Sequence, residues 1–186
     1  MQLHRLVRNR YGRAVYERLQ AAGVTATVMS EYGRQLPSDV AADADDLRVE
    51  ICEPARVQTL DAPTDELVDG EVVVGAFADG APLGYLFSSV DATLSIHPLE
   101  RDLSFDGVYV RRVFVAPDHR GQGIAGALLD HTLAHASEAG AERATALVAR
   151  DNVPSRALFE SRDFTVRRSH RYVRVGPVAH YSTVRN

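Results

Sequence analysis

The run VFVAPDHRGQGIAGALL, from Val113 to Leu129, constrains the fold of this chain more than any other stretch. Apolar residues on both faces of Val108 to Val115 predict a strand covered on two sides, and Pro117 ends it by removing a ladder donor. Gly121, Gly123 and Gly126 let the backbone approach a ligand closely, and the helix that follows begins with amides that lack intrahelical partners. Those donors and the positive end of the helix dipole make an anion site, most naturally for phosphate. Ile124, Leu128, Leu129, Thr132, Leu133 and Ala136 fall on one side of the predicted helix, which stops at Gly140.

Two familiar phosphate loops do not fit. A Walker loop needs Lys and then Ser or Thr after its last glycine, but Gly123 is followed by Ile124 and Ala125. A dinucleotide fingerprint places its glycines directly after a first strand, with an acidic residue on a second. The pattern Arg120-x-x-Gly123-x-Ala125 after a Val-x-Val strand instead resembles the coenzyme A pyrophosphate loop of the GCN5-related N-acetyltransferases, the GNAT family.

Composition narrows the setting. The 186 residues suffice for one domain with an extension, and 45% hydrophobic residues is ordinary for a globular chain. A net charge of -4 gives no electrostatic reason to expect nucleic-acid binding. All 21 basic residues are arginine, so the chain carries no side-chain amine of its own to acetylate. The single Cys52 excludes an internal disulfide and fits a reducing compartment. With no apolar run long enough for a signal core or a membrane span, the expected location is the cytoplasm, without a membrane partner.

Taken in order, Val7, Tyr11, Ala14, Val15, Leu19 and Ala22 predict an amphipathic helix over about 9 to 22. Thr25 to Met29 is a candidate short strand, and the acidic passage from Pro37 to Asp46 reads as a linker. The expected division is therefore an N-terminal extension, 1–45, and a main domain, 46–186. Leu47 to Ile51 alternates as a half-exposed strand, and Asp79-Gly80 joins two apolar runs, Glu71 to Ala78 and Pro82 to Val90, as a hairpin turn. Asp91 to Asp106 is irregular. Ala144 to Ala149 predicts a short strand, Pro154 opens a helix, and Phe164–Val166 and Tyr172–Val175 read as two strands around a polar turn at Ser169-His170. His131 and His135 have the spacing of a helical metal pair but no third ligand in register, so no metal is expected.

A second segment strengthens the resemblance. Asn152-Val153-Pro154-Ser155-Arg156-Ala157-Leu158-Phe159-Glu160-Ser161-Arg162-Asp163-Phe164 is similar to the family's Asn-x-x-Ser/Ala-x-x-Leu-Tyr-x-x-x-Gly-Phe. The resemblance implies an α/β (α+β) domain: a mixed, mostly antiparallel central sheet with a splayed parallel strand pair and helices on both faces. It also implies acetyl-CoA as cofactor. Its pantetheine arm would lie between the strands around Val113 and Leu147, bonded by Val113, Phe114 and Val115 on one side and by Asn152, Ser155 and Phe159 on the other. Arg120, Gly121, Gln122, Gly123, Ile124, Ala125 and Gly126 would hold the pyrophosphate. An N-acetyltransferase acting on a small-molecule or protein amine follows, with a homodimer kept open as an assembly.

The departures bear on mechanism. Phe159 stands where the family commonly has a proton-donating tyrosine, Arg111 and Arg112 stand where many members carry an acidic base, and Asp163 replaces a glycine. Tyr109 shares strand parity with Arg111, Val113 and Val115 and is the first candidate for proton relay; Tyr172 is the second. Arg111 is a candidate to hold a carboxylate or phosphate on the acceptor, with a salt bridge as the rival role. His97, His119 and His170 have suitable intrinsic pKa values without sequence evidence for a place in the cleft. A non-catalytic acyl-CoA-binding or sensing module is the competing function. A strand-loop-helix domain for some other phosphorylated ligand is a third reading.

Overall fold

In the computed structural model, which describes residues 24–36 and 47–185, the sequence-predicted hairpin is the simplest element. Strands β3 (Val72–Ala78) and β4 (Ala81–Val90) join through Asp79 and Gly80, whose φ values of 50° and 80° are those of a two-residue type I′ turn. Strand β2 (Arg48–Cys52) pairs with the outer edge of β3, and β7 (Val108–Val115) pairs with the other edge of β4. Between β4 and β7 the irregular passage forms a small hairpin of its own, β5 (Thr93–Ile96) with β6 (Arg101–Ser104). Beyond β7 come α1 (Ile124–Glu138), β8 (Arg143–Ala149), α2 (Val153–Glu160), β9 (Thr165–Val175) and β10 (Val178–Arg185).

The helix expected over 9 to 22 and the acidic passage from Pro37 to Asp46 lie outside the described residues. The candidate strand at Thr25 to Met29 is longer than expected: β1 spans Val24–Gln35. It sits inside the main sheet, antiparallel to β8 on one side and β9 on the other. The sheet therefore draws on residues before 46, the expected start of the main domain. The two short strands expected after Phe164 are likewise one continuous β9, with His170 buried in mid-strand instead of exposed in a turn.

The main sheet has the order β10-β9-β1-β8-β7-β4-β3-β2. Every neighbouring pair is antiparallel except β7 and β8, which α1 connects as a crossover helix must. The mixed, mostly antiparallel sheet with one parallel pair is the architecture expected from the sequence. On one face α1 and α2 pack together: Leu128, Leu129, Leu133 and Phe159 meet Tyr32, Leu86, Val110 and Val148 in the largest apolar cluster. On the other face the 3-10 turns at Pro54–Leu60 and Thr64–Glu66 cover the β3–β4 end, where Val57 meets Phe77, Tyr85 and Phe87. The β5–β6 hairpin covers the middle, where Leu94, Ile96 and Leu99 enclose Tyr109 and Tyr172.

Leu129 is 0% exposed on the face of α1 that meets the sheet. Truncating a leucine so enclosed removes transfer energy and leaves a cavity. Leu129→Ala is expected to lower unfolding free energy by about 3 kcal/mol, measured by denaturant titration. An unchanged midpoint would mean that α1 is not seated on the sheet as described.

Candidate active site

Strands β7 and β8 are in register at only two positions, Val108 with Ala144 and Tyr109 with Thr145. Beyond them β7 continues to Val115 and β8 to Ala149, so their facing backbone groups have no ladder partner in each other and a cleft opens toward the start of α1. Buried backbone donors and acceptors left in this way require other partners.

A bulge in β7 shapes one wall. Tyr85 of β4 faces Phe114 and Phe87 faces Arg111, so one β4 residue opposes both Arg112 and Val113, and Arg112 takes a left-handed φ of 55°. A bulge re-aims the side chains beyond it. Tyr109 lies on the face covered by the small hairpin, whereas Val113 and Val115 pack against the α1 cluster. Tyr109 is therefore on the opposite side from Val113 and Val115, contrary to the expected shared parity, because the bulge shifts the alternation by one residue.

The loop at the mouth of the cleft has the expected conformation. Gly121 and Gly123 have φ values of 77° and 81°, and a Cβ built on either meets nothing within 4 Å. The first recorded bond of α1 runs from the Ala127 amide to the Gly123 carbonyl, so the amides of residues 121 to 126 have no backbone acceptor among the described residues. Gly123, at the N-cap, contributes no side-chain cap, and the first turn holds no acidic residue that would compete for an anion. Arg120 turns back on the loop: its Nε donates to the Val115 carbonyl at 3.0 Å. Gln122 does the same with the Asp118 carbonyl at 3.4 Å.

Gly126 also serves the packing of α1. A Cβ there would lie 1.8 Å from a guanidinium nitrogen of Arg162, which forms a paired bond to Asp130 at 2.8 and 3.0 Å. The missing side chain makes room for that ion pair and leaves the Gly126 amide at the start of α1. On the opposite wall the Asn152 side chain caps α2, accepting from the Ser155 amide at 3.3 Å. Phe159 is buried, stacked on Tyr32 and edge-on to Phe164. Asp163 adopts the left-handed φ of 60° that its glycine-like position demanded.

Arg111 is committed within the protein. Its guanidinium holds both carboxylate oxygens of Glu71 at 2.6 Å and donates to the Glu66 carbonyl at 2.7 Å, and the Glu71 side chain is 0% exposed. This is the salt-bridge role, and it removes Arg111 as a holder of the acceptor. Tyr172 is also tied elsewhere: its phenol meets Arg174 at 3.3 Å, and a hydrogen bond to Glu100 raises its pKa. Strands β1 and β8 stand between it and β7.

Tyr109 remains at the cleft. It is 3% exposed, its ring stacks on Phe105 at 4.0 Å, and it lies where β7 and β8 part. Burial pushes its phenol far above the ordinary tyrosine value, with a backbone hydrogen bond from Leu147 of β8 acting the other way. The phenol thus keeps its proton while its oxygen touches the far wall of the opening.

Sequence reasoning missed a polar group beside this wall. Glu31 of β1 lies directly across from Leu147, and its carboxylate bonds the Nε2 of fully buried His170 at 2.9 Å, whose Nδ1 meets the Tyr181 hydroxyl at 2.7 Å. The hydrogen bond from His170 holds the Glu31 carboxyl below its usual range. No local signal joins residues from three strands so distant in sequence. His97 is exposed on the small hairpin and His119 lies in the 3-10 turn after β7. Among the described residues no group of His, Cys, Asp and Glu could hold a metal ion, and no helix is long and apolar enough to cross a membrane.

The acetyltransferase (GNAT) family matches the chain over residues 40–164. Solved structures share its fold. A Drosophila protein aligns with TM-score 0.60 and 11% identity, over 89% of this chain and 57% of its own. A GNAT-family acetyltransferase from Novosphingobium aromaticivorans gives 0.59 and 15% over 88% and 67%, and a GCN5-related N-acetyltransferase from Kribbella flavida gives 0.54 and 14% over 86% and 62%. The chain thus spans about three fifths to two thirds of the length of these proteins. No curated protein matches the sequence.

Because the Glu31 carboxyl sits below its unfolded value, it contributes stability that is present above about pH 4.5 and lost as pH falls through its folded value. Glu31→Gln is therefore expected to be less stable than the parent protein at pH 6 and to converge with it as pH falls through the folded carboxyl's titration, by denaturant unfolding across the acid range. A gap that persists unchanged at low pH would contradict the assignment.

Proposed function

The chain belongs to the GNAT family of acetyltransferases, and from that membership and its parted strands we propose that it is an acetyl-CoA-dependent N-acetyltransferase acting on an amine of a small molecule or protein. The observation that carries this reading is the separation of β7 from β8 after Tyr109 and Thr145, with the partnerless amides of residues 121 to 126 at its mouth. The residues suit the cofactor: open positive-φ glycines let a pyrophosphate approach, and no first-turn carboxylate repels it. When bound, acetyl-CoA supplies the acetyl group as a thioester.

In this reading the amides of Gly121, Gln122, Gly123, Ile124, Ala125 and Gly126 hold the pyrophosphate. The unpaired edge of β7 at Val113, Phe114 and Val115 bonds the arm. Asn152 and Ser155 define the far wall at the start of α2, and buried Phe159 supports α2 from beneath without touching the ligand. Arg120 acts by fixing the loop to the end of β7 rather than by direct contact. Alignment of acceptor and thioester supplies most of the rate, an effect that reaches about 7 to 11 kcal/mol in favourable cases.

Phe159 has no proton to give, and Tyr109 takes that task. Its phenol stays protonated well past the ordinary tyrosine value, so it acts as a donor to a departing thiolate and not as a base. The proton shed by the amine passes to water, and water returns a proton to the Tyr109 phenolate, which burial makes strongly basic. A thiolate is a good leaving group, so a single donor at the closed end of the cleft suffices.

The test is thiol release from acetyl-CoA across a panel of amines. Tyr109→Phe keeps the ring stacked on Phe105 and is expected to lower kcat about 100-fold with the KM for acetyl-CoA unchanged. In the parent protein the rate should show no alkaline fall near about pH 10, the ordinary tyrosine value. An unaffected kcat would remove Tyr109 as donor. Tight coenzyme A binding without turnover on any amine would favour an acyl-CoA-binding module instead.

A further inference from the structure

A second cleft, of about 380 Å³, lies on the sheet face away from α1 and α2. It abuts the closed end of the cofactor cleft. Thr145, the last β8 residue paired with β7, lines it, as does Phe105, whose ring stacks on Tyr109. From Thr145 to Leu147, where the Tyr109 phenol touches β8, is about 7 Å along the strand.

The lining is strongly basic in a protein of net charge -4. Five arginines, Arg34, Arg143, Arg167, Arg168 and Arg185, face two carboxylates, Glu31 and Asp106. Arg143 lies 3.6 Å from Asp106 and Arg168 lies 4.0 Å from Glu31, whereas Arg34, Arg167 and Arg185 make no ion pair among the described residues. Glu31 itself is already engaged by His170.

Local structure concentrates these charges at a cost. In the β1–β9 ladder Glu31 faces Arg168 and Tyr32 faces Val166, so Arg167 is the extra residue of a bulge and two consecutive arginines line one cleft. A Cβ on Gly33 would lie 2.8 Å from the Arg167 Cγ, so the absence of a side chain there makes room for that arginine's stem. Arg168 and Arg185 are direct cross-strand neighbours, an arrangement that repels when nothing lies between the charges. An anion between them converts repulsion into paired, charge-assisted hydrogen bonds.

We infer that this cleft binds the anionic group, a carboxylate or a phosphate, of the amine acceptor, with Arg167, Arg168 and Arg185 as its principal ligands. The amine then points toward Thr145 and Phe105, at the rim of the small hairpin that encloses Tyr109, past the Glu31 carboxylate, which attracts the ammonium form. This deepens the acetyltransferase reading and rests on it for the identity of the ligand as an acceptor. It also places the acceptor's charge on residues other than Arg111.

The experiment is calorimetric titration of the coenzyme A-saturated protein with matched amines: β-alanine for the carboxylate, 2-aminoethyl phosphate for the phosphate and propylamine as the uncharged control. The anionic amines are expected to bind at least about tenfold more tightly than propylamine. The tighter of the two identifies the anion. Arg167→Ala should remove that preference, and so should Arg185→Gln, which lies on the outermost strand and leaves the packing around Gly33 intact. Coenzyme A affinity should stay unchanged in both variants. Anionic amines that bind no more tightly than propylamine, or a preference that survives in Arg185→Gln, would overturn the inference. Failure of the parent protein to bind coenzyme A would instead overturn the acetyltransferase reading, and the same titrations without it would still report on the anion cleft.

Discussion

The proposed function rests on one interruption of backbone hydrogen bonding. A parallel strand pair in the middle of an eight-stranded sheet ordinarily satisfies its amides and carbonyls along its whole length, but β7 and β8 do so at two positions only. The unpaired edges are a cleft whose walls are already polar and already in line. The amides at the start of α1 are the same kind of resource, left over because a helix cannot satisfy its own first turn.

Holding two central strands apart requires each to be anchored from its outer side. On β7 that anchor is the ladder to β4, the bulge at Arg112 and the Arg111 fork on buried Glu71. A left-handed arginine carries a backbone penalty of roughly 1 to 2 kcal/mol, which the ladder on either side offsets. On β8 the anchor is β1, in unbroken antiparallel register from Met29 with Ala149 to Gln35 with Arg143. The Tyr109 phenol, on β7, takes a backbone hydrogen bond from Leu147 of β8 near the point of parting. The donor role proposed for Tyr109 rests on this geometry, whereas Phe159 is buried against Tyr32.

Much of this was legible in the sequence, and the exceptions share a physical cause. The Asp79-Gly80 hairpin, the strand-loop-helix around Gly121 and Gly123, and the apolar face of α1 are local patterns, and each formed as written. The placement of β1 was not legible, because its partners are more than a hundred residues away and half of its twelve residues are polar. The ion pair of Arg111 with Glu71 is likewise non-local, so an arginine beside the cleft resembled a ligand for substrate. The bulge at Arg112 has no glycine to announce it, and it reversed the side-chain parity on which the grouping of Tyr109 with Val113 rested. Gly126 adds a non-local role: the space its missing side chain leaves is taken by Arg162. The arginine cleft draws on β1, β8, β9 and β10 together, and no single segment carries its signature.

The central claim is that coenzyme A lies between β7 and β8 with its pyrophosphate on the loop amides. It is tested most directly by amide NMR of the nitrogen-labelled protein titrated with coenzyme A. The account expects the largest shifts at the amides of residues 121 to 126, with further shifts at Val113 and Val115 and little change on β2 or β10. Shifts centred elsewhere, with the 121 to 126 amides unmoved at saturation, would contradict it.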